Sequence, residues 1–178
     1  MIKQIVKIGT PGIIIFLIIL VILKAENNKN EQREPNRELP NVKLSIIGGD
    51  SLSLKKSIQD NQHTVISFLS VKCRHCEFQA MDIKAKEDLF APWNHIIIIE
   101  SHDSIASFID RIGFSTQGNY KLTTAKPRTI HKFNIRGMPS TLLCNSSGKI
   151  LKEITGELKV EKTVHSIEKC LRNESEKH

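Results

Sequence analysis

The sequence predicts an α/β chain: a mixed central sheet with helices on both faces, entered through a β-hairpin and preceded by a single membrane-spanning helix. Three observations predict it. Two apolar runs, Thr64–Leu69 and Ile96–Ile99, alternate with amphipathic stretches, the pattern of buried strands covered by helices. A Cys73-Arg74-His75-Cys76 motif follows the first run directly and opens a helix. An uncharged segment between Lys7 and Lys24 stands ahead of everything else.

That leading segment has two readings, a cleaved signal peptide or a retained anchor. Ile8 to Leu23 spans about 24 Å as a helix. Snorkelling by Lys7 and Lys24 extends its reach towards the roughly 30 Å of a bilayer core. Pro11-Gly12 sits near one end, where a kink is tolerated. Lys24-Ala25-Glu26-Asn27 offers no small-x-small cleavage site, so residues 1–24 are expected to be a signal anchor. Lys3 and Lys7 then stay inside and the remainder is exported. Residues 25–40 mix both charges with Asn, Gln and Pro and hold no apolar cluster, which predicts a flexible linker.

The domain is expected over residues 41–172, followed by a polar tail at 173–178. Val42, Leu44 and Ile46 alternate with polar residues, Gly48-Gly49-Asp50 turns the chain, and Leu52-Ser53-Leu54 alternates again: a hairpin. Thr64–Leu69 is a buried central strand. Glu77–Leu89 is expected to be helical, with Cys76, Ala80, Ile83 and Glu87 on one line and Phe78, Met81 and Ala85 beside it. Trp93 anchors the approach to a strand at His95–Glu100, buried and parallel. Ser104–Ile112 is a second helix, Tyr120–Thr123 a short strand and Thr129–Lys132 a turn. Leu142-Leu143-Cys144 enters another strand, Ser146–Lys149 turns it back to Ile150–Ile154, and Val160, Val164, Ile167 and Leu171 stripe a closing helix.

The formal charge of +7 includes Lys3, Lys7 and Lys24, and the rest is spread without a basic block or interleaved aromatics, which excludes a nucleic-acid surface. The chemistry lies in Cys73 and Cys76. Residues three apart on a helix have Cβ atoms roughly 5–6 Å apart. A disulfide therefore closes with little backbone movement. In an oxidising compartment such a pair is suited to thiol–disulfide exchange. Structural zinc needs about four ligands in close pairs, whereas Cys144 and Cys170 stand alone and read as small hydrophobes. The competing class is a copper-binding module using Cys73, Cys76 and one of the scattered histidines, which otherwise read as surface or strand-edge residues. A redox-dead recruitment domain is disfavoured because both thiols are present.

Cys73 is the expected nucleophile: a helix N-terminus favours a thiolate, and Lys72, Arg74 and His75 add positive charge. Cys76, one turn inside, is the expected resolving thiol, releasing a mixed disulfide formed on Cys73.

The element order, the motif at the head of a helix, and Gly137-Met138-Pro139-Ser140-Thr141 before the penultimate strand resemble the thioredoxin-like fold. More narrowly the chain resembles membrane-anchored thiol–disulfide oxidoreductases of the TlpA/ResA type, from about Leu39 to Leu171. The hairpin and the Asn145–Ile150 turn match that family as well. The resemblance implies that Pro139 is cis and faces a Cys73–Cys76 disulfide, with Met138 left to pair with an extended substrate. It implies protein thiol or disulfide substrates, a membrane electron donor or acceptor, no cofactor, and a bacterial cytoplasmic membrane location with the domain outside. The chain departs from the pattern at three places: Lys72 replaces a common Trp, Ser67 replaces the buried acid of thioredoxins, and Arg-His fills the motif. The Arg-His pair pushes towards an oxidant, the resemblance and the anchor towards a reductase, and a reductase is the expectation carried forward.

Overall fold

A computed structural model describes residues 37–58 and 62–176. The expected anchor at 1–24 and residues 25–36 of the expected linker lie outside the described residues. Among the described residues, no helix is long and apolar enough to cross a membrane.

Eight strands form one mixed sheet in the order β1-β8-β7-β4-β5-β6-β2-β3. They are β1 (Arg37–Glu38), β2 (Lys43–Ile46), β3 (Ser51–Ser53), β4 (Thr64–Leu69), β5 (Asn94–Glu100), β6 (Lys121–Ala125), β7 (Ser140–Cys144) and β8 (Lys149–Thr155). The helices are α1 (Leu54–Ser57), α2 (Arg74–Ala85), α3 (Ile105–Ile112), α4 (Pro127–His131) and α5 (Val160–Ser175), with a 3-10 turn at Glu87–Phe90. The centre is parallel, β4 beside β5 and β5 beside β6, while β7 runs antiparallel against β4.

Every residue of β4 is buried, as is the Ile96–Ile99 run of β5. Period-two alternation sends their side chains to opposite faces. Val65, Leu69, Ile97 and Ile99 join α2, α3 and α5 in one core, and Ile66, Phe68, Ile96 and Ile98 join α1 and α4 in the other. β-Branched residues suit such doubly covered strands. Each buried isoleucine contributes about 1.5–3 kcal/mol by leaving water. The hairpin of β2 and β3 docks on the β6 edge, Ser45 opposite Thr124.

Helix ends follow local chemistry. α3 stops at Gly113, whose left-handed φ of 77° lets its N–H reach the Ile109 carbonyl. The turn into β8 is held by Asn145 Oδ1, which accepts from the Ser147 and Lys149 N–H groups.

Several boundaries differ from the sequence expectation. Arg37 and Glu38, placed in the linker, pair with Ile150 and Lys149 of β8. Arg37 also bonds Glu153 at 2.9 Å. α5 runs to Ser175, into the expected tail. The helix expected over Glu77–Leu89 begins at Arg74 and ends at Ala85, because Lys86 (φ −132°, ψ 30°) leaves helical geometry. Phe78 and Met81 lie on its solvent side, while Cys76, Gln79, Ala80 and Ile83 face the core. The strand expected at Tyr120–Thr123 runs from Lys121 to Ala125. The expected turn at Thr129–Lys132 is part of α4, which starts on Pro127.

Candidate active site

β4 ends at Leu69, and four residues later Cys73 caps α2. The connection is tight: the Cys73 N–H donates to the Ser70 carbonyl at 3.2 Å, and the Glu77 N–H donates to the Cys73 carbonyl at 3.1 Å. Cys73 has an extended cap conformation (φ −109°, ψ 114°), and its sulfur accepts the Cys76 N–H at 3.3 Å. The thiol thus takes up one of the amides that a helix N-terminus leaves without an intrahelical partner.

Cys73 is half-buried and Cys76 fully buried, both as free thiols. Burial, together with the hydrogen bond to Cys73, pushes the Cys76 thiol well above the ordinary thiol range. A backbone hydrogen bond with Ser70 acts in the opposite sense, and the charge of Glu100 adds to the rise. The two sulfurs are therefore unequal, one at the surface on a helix cap and one inside the core.

A second loop closes over the pair. The Met138–Pro139 bond is cis. The Cys73 thiol points at the Met138 carbonyl, 3.7 Å away. The loop is braced on both sides, Ser140 Oγ donating to the Gly137 carbonyl at 2.6 Å and the Gly156 N–H to the Pro139 carbonyl at 2.8 Å. Beside it lies a cleft of about 280 Å³ whose walls include Glu100, Ile130, His131, Arg136 and Met138.

The structure brings together Cys73, Cys76, Met138 and Pro139. The three cations expected to tune Cys73 are placed differently. Arg74 stacks over the Phe78 ring at 5.4 Å, and His75 Nδ1 pairs with Glu157 at 2.8 Å. Lys72 is exposed. The positive field anticipated from the motif is thus partly directed at other groups.

Two residues were not anticipated. His95, expected with the surface and strand-edge histidines, is buried in β5 against the Phe90 ring, with 4.2 Å between centroids. Its Nε2 lies 3.0 Å from Ser67 Oγ, so a Ser–His pair occupies the place where the resemblance leads one to expect a buried acid. Desolvation pushes His95 down to about 3, leaving a neutral ring. Glu100 is the other. It ends β5 and accepts a hydrogen bond from Ser70 Oγ at 2.8 Å. The signal was present: a carboxylate ending a buried parallel strand, at the carboxyl edge where open α/β sheets bind ligands.

Among the described residues, no group of three or more His, Cys, Asp or Glu is arranged to hold a metal ion. His102 bonds Ser104, and His131 lines the cleft.

No protein-family model matches the sequence, and no curated protein matches it. Solved structures do. StoA from Bacillus subtilis is 17% identical, with a TM-score of 0.58 over 71% of this chain and 98% of that one. A thioredoxin-family thiol:disulfide interchange protein from Chlorobium tepidum is 17% identical, with a TM-score of 0.61 over 76% and 97%. A secreted disulfide oxidoreductase of Mycobacterium tuberculosis is 11% identical, with a TM-score of 0.57 over 71% and 94%. At these identities the likeness is one of architecture: this chain has the thioredoxin-like α/β fold that those structures share.

Proposed function

We propose that the chain is an extracytoplasmic thiol–disulfide oxidoreductase working on protein substrates, in the direction of reduction. One observation carries the reading: a half-buried Cys73 on a helix cap, 3.7 Å from the Met138 carbonyl, with Cys76 buried one turn away.

The Cys73 sulfur attacks a substrate disulfide, forming a mixed disulfide and releasing one substrate thiol. The Cys76 sulfur then attacks Cys73, releasing the second thiol and closing a Cys73–Cys76 disulfide. Two electrons pass to the substrate, and a membrane electron donor returns the dithiol. The backbone of Met138, ahead of the cis Pro139, is the surface against which an extended substrate segment lies. Lys72, Arg74 and His75 add positive charge near Cys73, but Glu157 offsets whatever charge the His75 ring carries. The oxidising push of the motif is correspondingly weakened, in keeping with a reductase. The uncharged stretch between Lys7 and Lys24 supports a single-pass anchor that holds the domain outside the cytoplasmic membrane.

Insulin reduction by the full-length chain tests the activity, and the redox couple tests the direction. A potential near thioredoxin's, about −270 mV, is expected. A value near that of DsbA, about −120 mV, would reverse the assigned direction.

A further inference from the structure

The resolving thiol poses a chemical problem. Cys76 must lose its proton to attack Cys73, yet it is buried, and the position six residues before Cys73 holds Ser67, bonded to a neutral His95. Neither group is a carboxylate.

A carboxylate does reach this region from the next strand. β4 and β5 run parallel, with Leu69 opposite Ile99, so Ser70 and Glu100 leave the same edge of the sheet side by side. Ser70 is the junction: it is 8% exposed, and its hydroxyl donates to Glu100 Oε2 at 2.8 Å. Its carbonyl receives the Cys73 N–H, and its backbone hydrogen-bonds with Cys76. Glu100 also lines the cleft beside Met138, so it connects the buried thiol to the surface over which substrate passes.

We propose that Glu100, held in place by the Ser70 hydroxyl, accepts through water from the cleft the proton that Cys76 gives up when it resolves the mixed disulfide. The inference rests on the exchange reaction assigned above. The S–H bond of Cys76 breaks and its proton passes to the Glu100 carboxylate. The freed sulfur forms a bond to Cys73, and the bond from Cys73 to the substrate sulfur breaks. The substrate leaves as a thiolate, which recovers a proton from Glu100 or from water across the cleft. No outside oxidant or reductant enters this step. Glu100 reaches the reacting sulfur only through that water and touches none of the reacting atoms, so it is a positioning residue, and Ser70 fixes its carboxylate. The titratable or charged groups around it are Cys73 and Cys76 of the motif, His131 of α4 and Arg136 on the loop before β7.

A chromogenic aryl disulfide separates the steps on the full-length, reduced chain kept in mild detergent. The first aryl thiolate released reports attack by Cys73, and the second reports resolution by Cys76. In Glu100→Gln the second release is expected to slow by about 100-fold near neutral pH, with the first within about twofold. The deficit should shrink at alkaline pH as hydroxide takes over the proton, and Glu100→Asp should recover part of the rate. Ser70→Ala should slow the same phase. An unchanged second release in Glu100→Gln would overturn the inference. An accelerated one would too, because it would show a charge that merely holds the thiol protonated. Equal slowing of both phases would also overturn it, indicating a structural role. If the wild-type chain itself gives no second release, the exchange reading fails and not the role of Glu100 alone.

Discussion

Cys76 and Cys144 are both fully buried, and burial raises both thiols well above the ordinary range. Their surroundings differ in kind. Cys144 ends β7 in a core of Ile66, Leu142 and Ile150. Cys76 lies beneath a second sulfur, hydrogen-bonded to it through its own N–H, with Ser70 and Glu100 alongside. Burial alone makes a thiol inert; on the proposed function, burial beside an exchange partner and a proton acceptor makes one that waits. Chemistry in this fold is assigned by what surrounds a residue.

The largest effects should come from removing that difference. Cys73→Ser is expected to lower turnover about 1,000-fold or more, since among the described residues no other thiol sits at the surface of the site. Insulin reduction by the variant measures this. Cys144→Ala should leave turnover within about twofold and cost about 1 kcal/mol of stability by leaving a small cavity. Comparable losses in both variants would erase the contrast between the two thiols.

The next effect concerns the polar pair behind the motif. His95 is held neutral at about 3 in the fold. It returns to about 6.5 when unfolded. The unfolded chain therefore binds the extra proton through that window, and stability should fall as pH drops from about 6.5. The expected loss is a few kcal/mol, read from urea midpoints at neutral and mildly acidic pH. Ser67→Ala/His95→Phe should flatten that slope. A slope unchanged in the double variant would place the acid sensitivity elsewhere.

A smaller effect tests how the helix carrying Cys76 is fixed. Asp82 of α2 accepts the first amide of α5, Val160 N–H, at 2.7 Å and pairs with Lys86. Burial acts to raise its carboxyl, but the hydrogen bonds from Lys86 and Val160 outweigh that and hold it below the usual carboxylate range. The contribution is present above the unfolded value of about 3.9 and is lost as pH falls through the lower folded value. Asp82→Ala should cost about 1 kcal/mol, as for loss of a helix cap, checked by denaturant unfolding near neutral pH.

The sheet's centre was legible because its strands are apolar on both faces, and α5 because its stripe has a helical period. The motif was legible because two cysteines at that spacing have few other uses. Arg37 and Glu38 were not: a two-residue edge strand is made by backbone pairing and leaves no apolar pattern. Phe78 and Met81, beside the line of Cys76, Ala80 and Ile83, turn to solvent, because an apolar side chain need not face the core; Phe78 lies under the Arg74 guanidinium at the surface. His95 sits inside a strand whose other members are isoleucines, and its burial depends on Ser67 and Phe90, distant in sequence. Glu100 became a site residue only when β4 and β5 were set side by side.

On the proposed function the two sulfurs of the motif do different jobs, and trapping separates them. Cys73→Ser and Cys76→Ser, each in the full-length chain, are incubated with a disulfide-bonded peptide and examined by mass spectrometry under non-reducing conditions. A stable peptide adduct on Cys73 is expected in Cys76→Ser and none in Cys73→Ser. An adduct on Cys76 in Cys73→Ser, or no adduct in either variant, would contradict that division of roles.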